Sequence, residues 1–167
     1  TTENRQPMKI TETPVDSKSL ADLTSFANGI LEMLPKRDPD SEFLDVIDQT
    51  LYDWQQSGAN PVEGVEEDDL IYALGVLWGN HLVKEHAWRW ADLTFHEFND
   101  WTGRAVVSES GSLSILPFAY IRECLDGEDE VKISAVPVAL RSNVIPEFPP
   151  GTFENVMRGL QRIVPRG

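Results

Sequence analysis

Sulfur and imidazole are scarce in this chain: one cysteine, Cys124, and three histidines in 167 residues. A lone cysteine excludes an intrachain disulfide and suits a reducing compartment. Cys124 is expected to be an inert, buried thiol beside the apolar side of a short helix. Long apolar runs are also missing. No stretch of about 18 apolar residues occurs, so no transmembrane helix is expected, and cytoplasmic residence is the expectation. A cleaved leader ahead of Thr1 is compatible with the same sequence.

Positive charge is the third lack. Fourteen Lys and Arg stand against 28 Asp and Glu, for a net charge of −14. Nucleic acid and anionic membrane would both be repelled, so neither is expected as a partner, whereas a basic protein would be attracted. The imbalance is uneven: residues 1–130 carry 26 acidic side chains and 9 basic ones, residues 131–167 two and five. The last segment can therefore complement the acidic body from within. Catalytic signatures form the fourth lack. There is no GxSxG elbow, no phosphate-binding P-loop and no GxGxxG turn. The pattern leans against an enzyme, and no cofactor is expected.

What is present is a globular composition: 41% hydrophobic residues, five Trp and seven Phe. Residues 1–16 lack periodicity and read as a flexible or edge-hugging arm, and residues 17–167 as a single domain. Leu20, Leu23, Ala27, Ile30, Leu31 and Leu34 repeat at helical spacing after a cap at Ser17 or Ser19, and Pro35 closes that helix. A second helix, capped by Asp40 or Ser41, carries the stripe Phe43, Leu44, Ile47, Leu51 and Trp54. Glu67–Val83 is the centre of the design. It is apolar almost all round, which predicts a buried helix, and Glu67, Asp68 and Asp69 suit its N-terminus. Gly75 and Gly79 each cost about 1 kcal/mol in a helix, so close approach of another element is expected there.

Beyond Lys84 the period changes to two. Trp88 and Trp90 share one strand face while Leu93 and Phe95 have the opposite parity, so either both faces are covered or a bulge near Asp92 resets the register. Residues 96–103 read as a loop, 104–107 as a strand, 108–112 as a hairpin turn and 113–116 as the returning strand. Pro117 opens a short helix through Leu125. Val131, Ile133 and Ala135 alternate as a further strand, placed at an edge by Pro137. Thr152 caps a final helix with Phe153, Val156, Met157, Leu160, Ile163 and Val164 inward. The expected fold is α+β: a helical N-terminal half packed on a small antiparallel β-meander, closed by a C-terminal helix.

The ordered series Leu74-Gly75-Val76-Leu77-Trp78-Gly79, Ala87-Trp88-Arg89-Trp90, Ala105-Val106-Val107 and Leu116-Pro117-Phe118 resembles a family of small bacterial domains of unknown function. The shared layout is a Leu-Gly-x-x-x-Gly helix, a Trp-containing strand, a hairpin and a Pro-led closing segment, here over residues 70–125. In that family a Glu commonly follows the second Gly; Asn80 stands there in this chain. The resemblance implies helices packed on a small antiparallel sheet and no established activity.

Two groups of residues stand out as candidate sites. Asn80 and His81 are polar groups deep in the central helix. Asn80 is read as a clamp to the meander or as part of a pocket there, and His81 as a buried neutral imidazole or a pocket wall. His81 and His86 lie about 140° apart around a helix and do not form a metal-binding pair, so no metal is expected. The second group is the aromatic loop: Phe98 and Trp101 beside Glu97 and Asp100 suit an anchor for a protein partner. Asp92, His96 and Arg104 lie close in sequence and would support acid–base chemistry only if they converged in a cleft. The expected function is a non-catalytic acidic interaction module of inhibitor or immunity type. The alternative is a small-molecule-binding protein or enzyme with a pocket between central helix and meander.

Overall fold

The computed structural model describes residues 9–34, 43–127, 133–142 and 144–157. Its elements in chain order are β1 (Ile10–Pro14), α1 (Ser17–Leu31), α2 (Phe43–Ser57), α3 (Glu67–His86), β2 (Arg89–Phe95), a 3₁₀ turn (His96–Phe98), β3 (Trp101–Val107), β4 (Leu113–Ile115), α4 (Pro117–Asp126), α5 (Ala135–Arg141) and β5 (Glu154–Asn155). The class is α+β, as expected. The five strands lie in sequence order in one sheet, antiparallel from β1 to β4, with β5 parallel to β4.

Helix α3 is the axis of the domain. Ten of its residues are buried, from Leu70 to Leu82. It runs three residues beyond the expected end and stops where Ala87 turns left-handed (φ 57°) and donates its N–H to Leu82 O. The two glycines are where the sheet and α4 press in. A Cβ on Gly75 would lie 2.5 Å from Phe118 Cδ1, and one on Gly79 would collide with the Trp90 ring and sit 2.8 Å from Val106 Cγ2. Small residues here let a helix and a sheet meet at backbone distance.

The strand parity is settled by cover on both faces. Strands β2 and β3 pair without interruption from Arg89↔Val107 to Phe95↔Trp101, so no bulge occurs. Trp90, Val106 and Ile115 face the main core with α3, while Ala91, Leu93, Ala105 and Val107 form a second cluster on the outer face under Ile10, Phe95, Leu116 and Phe153. Strand β1 supplies one margin of that cover. The Arg89 guanidinium ties it down, making two hydrogen bonds to Glu12 (2.6 and 3.0 Å) and two more to the Ser108 and Glu109 carbonyls.

Four local expectations are corrected. The cap of α1 is Asp16, whose carboxylate accepts from Ser19 N and Ser19 Oγ at 2.8 Å; a charged acceptor suits the helix N-terminus better than a hydroxyl. The same hydrogen bonds hold its carboxyl below the usual value. Trp101–Gly103 belong to β3, because Asn99 and Asp100, both left-handed (φ 54° and 56°), complete the turn before them. Ile133 and Ala135 are not in a strand: Ile133 and Ser134 form a turn and Ala135 begins α5. That helix is started from outside, since Asp48 of α2 accepts the Ile133 and Ser134 amides at 3.0 and 2.9 Å. Pro137 falls in its first turn, where an N–H has no intrahelical acceptor. Thr152 and Phe153 are not helical: Phe153 is left-handed (φ 47°) and leads into β5, with helical geometry only from Val156. Asp40, Ser41, Val131, Leu160, Ile163 and Val164 lie outside the described residues.

Candidate functional site

Three places concentrate polar or exposed aromatic side chains. The first is the outer face of the sheet at the turn joining β2 and β3. Phe98 and Trp101 are 59% and 48% exposed. The Trp101 ring lies against Gly103, where a Cβ would be 2.5 Å from Cη2, and its centroid is 5.5 Å from that of Phe95. With Ile10, Leu116 and Phe153 these rings line a groove of about 500 Å³. Glu154 also lines it, and Glu97 and Asp100 are exposed on the turn that carries Phe98. A half-exposed Trp held against Gly103 and Phe95 suits recognition, since little side-chain freedom is lost when a partner covers it.

The second place is on the same turn. His96 Nδ1 lies 2.6 Å from Asp100 Oδ1, and Nε2 lies 2.7 Å from Thr11 Oγ1. A hydroxyl, an imidazole and a carboxylate are thus joined in line. All three residues are exposed, Asp100 with 72% of its side chain in solvent. With the Lys9 carbonyl accepting from His96 N, the array staples β1 to the turn. Asp92 and Arg104 do not join it. They pair with each other across β2 and β3 at 3.0 Å, which raises the Arg104 pKa.

The third place is α3 beyond Gly79. Asn80 donates from Nδ2 to Thr24 Oγ1 (3.0 Å) and accepts at Oδ1 from Trp90 Nε1 (2.9 Å). It clamps α1, α3 and β2 together. The space between α3 and the meander is filled by Trp90, Val106 and Phe118. The concavity lined by His81 is on another flank of α3, facing α1, α2 and α5, with a volume of about 1220 Å³. His81 is only half-buried there, its ring centroid 6.4 Å from that of His86. Burial lowers the pKa of both imidazoles, and the nearby Arg141 lowers them further, against the opposite pull of Glu85. Among the described residues no three His, Cys, Asp or Glu side chains are grouped to hold a metal ion, and no helix is long and apolar enough to cross a membrane. Cys124 is buried in α4.

Sequence reasoning placed Phe98 and Trp101 on the surface but missed Ile10, Leu116 and Phe153, which complete the groove. No local signal could have found them, because each arrives from a different part of the chain. Thr11 was missed for the same reason, 85 positions from His96. Comparison with protein-family models, with curated proteins and with solved structures gives no significant match to this chain.

Proposed function

We propose that the protein is a non-catalytic acidic interaction module, of inhibitor or immunity type, that binds a basic protein on the outer face of its sheet. Phe98 and Trp101 are the apolar anchors, and Glu97, Asp100 and Glu154 meet the partner's cations. The observation that carries the reading is the pair of exposed rings set beside a groove and among carboxylates, in a chain of net charge −14. Aromatic anchors supply most of the energy of such contacts, while charge of one sign steers encounter and sets salt sensitivity.

The test uses wild-type protein and a Phe98→Ser/Trp101→Ser variant as baits in host extract, each at low and at high salt. Wild type should retain a discrete basic protein at about 50 mM salt and lose most of it at about 500 mM. The variant should retain at least about tenfold less at low salt, a loss of about 1.4 kcal/mol or more in affinity. Equal retention by the two baits, or retention of nothing specific by wild type, refutes the reading.

A further inference from the structure

The sheet ends at β1, beside the aromatic groove that Ile10 helps to line. One side of β1 pairs with β2, and the other meets no strand among the described residues. The bond from His96 N to Lys9 O, in register with Ile10↔Phe95 and Thr11↔Thr94, fixes which peptide groups face which way. Peptide groups alternate in direction along a strand, so Lys9, Thr11 and Thr13 turn theirs to β2. Ile10 and Glu12 turn both N–H and C=O outward. Natural sheets guard such an edge with a bulge, a lysine in the strand, an inward charge or a proline. Here the pairing with β2 runs unbroken from Ile10 to Pro14, and the strand ITETP contains no lysine. Its one charge, Glu12, is turned back onto Arg89 at 2.6 and 3.0 Å. Pro14 withholds an N–H only at the far end.

We infer that an extended segment of the basic partner adds to this edge as a further antiparallel strand, with apolar and basic residues in alternation. Main-chain hydrogen bonds to Ile10 and Glu12 hold it, and its alternate side chains give selectivity. Side chains opposite Ile10 fall on the outer face, where Ile10 and Phe95 line the groove, so apolar ones suit that side. Those opposite Thr11 fall on the other face. There Thr11 meets His96 and His96 meets Asp100, whose carboxylate side chain is mostly in solvent, so basic ones suit. A second copy of the chain is the poorer occupant, since each copy carries −14 and the two repel. The choice of a basic segment rests on the proposed function; the direction of the Ile10 and Glu12 peptide groups does not.

Synthetic octapeptides serve as probes, with exchange of single backbone amides followed by NMR on the intact protein. A peptide of alternating Lys and Val should slow exchange of the Ile10 and Glu12 N–H groups about tenfold or more at low salt. Thr11 and Thr13 should change much less, since their N–H groups already face β2. The same peptide N-methylated at every Val keeps its charge but loses the donors on its pairing edge, and should slow neither amide. A peptide of alternating Glu and Val should bind about tenfold more weakly than the lysine peptide, or worse. No slowing by the lysine peptide at millimolar concentration, equal slowing by its N-methylated form, or slow exchange at both amides in the protein alone would each overturn strand addition. Equal slowing by the glutamate peptide would overturn the basic occupant, and with it the proposed function, while strand addition stands.

Discussion

Each face of the sheet holds a tryptophan ring against a glycine. On the inner face the Trp90 ring lies on Gly79 of α3, is 6% exposed, and donates a hydrogen bond to Asn80. On the outer face the Trp101 ring lies on Gly103 of its own strand, is 48% exposed, and packs against Phe95 at a tilt of 33°. The steric relation is the same and the physical consequence is not. Trp90 is enclosed by helix, sheet and a polar clamp, so its position is dictated from every side. Trp101 is held by Gly103 and Phe95 and has solvent on its other side. The first arrangement builds the domain; the second leaves a large aromatic surface available at small energetic cost. Identical residue pairs thus serve stability on one face and recognition on the other, and burial decides which.

The comparison breaks most easily at its glycines. Gly79→Ala should destabilise the protein by about 3 kcal/mol, despite the roughly 1 kcal/mol that Ala contributes in a helix, because Trp90 and Val106, which the new methyl would meet, are both buried. Urea unfolding followed by Trp fluorescence would measure it. A loss under about 1 kcal/mol would mean that the helix–sheet contact is looser than described. Next in size is Asn80→Ala, which strands Trp90 Nε1–H and Thr24 Oγ1 together and should cost about 2 kcal/mol. Here a double-mutant cycle with Trp90→Phe is decisive, since the cost of Asn80→Ala should shrink once the indole N–H is gone, a coupling of about 1 kcal/mol. Zero coupling would assign Asn80's contribution to contacts other than the bond to Trp90.

Gly103→Ala is the outer-face counterpart and should cost under about 1 kcal/mol in the same unfolding assay, because the displaced ring can move into water. It should still weaken partner binding, since the anchor loses its fixed position. A stability loss as large as that of Gly79→Ala would erase the distinction between the two faces.

How much of this was legible depends on whether the cause was local. Helix α3 could be read because its apolar residues encircle it, and the need for close contact at Gly75 and Gly79 followed from their helical cost. The opposite parities of Trp88/Trp90 and Leu93/Phe95 also contained the answer, that both faces are covered, although a bulge would have left the same pattern. Where the cause is distant, the letters are silent. Ile10–Pro14 joins the sheet through register with β2, some 80 residues on, and its Thr-Glu-Thr sequence has no apolar alternation to announce it. Val131, Ile133 and Ala135 alternate, a pattern that suits a strand, yet Ala135 begins a helix. The deciding group is Asp48, which begins α5 from a different helix. The chemistry at His81 was half legible: the helical wheel located the residue, but only the arrangement of α1, α2 and α5 around it makes that flank a cleft instead of core.

The smallest expected effect tests the cleft flank of α3 against its packed flank through pH. The His81 and His86 pKa values lie below the unfolded reference of 6.5. Between that reference and the lowered values the unfolded chain binds more protons than the folded one. The stability they contribute is therefore complete above about pH 6.5 and is lost as pH falls through the folded values. Asp48 works in the opposite sense, because burial raises its carboxyl above the reference of 3.8, so acidification through that range favours the fold. The two contributions overlap in a single unfolding curve and separate in the variants. His81→Gln/His86→Gln should remove the decline just below pH 6.5, while Asp48→Asn should leave that part of the curve in place. If the decline survives without the histidines, protons are taken up elsewhere on unfolding, and the cleft flank of α3 is as insensitive to charge as the flank packed on the sheet.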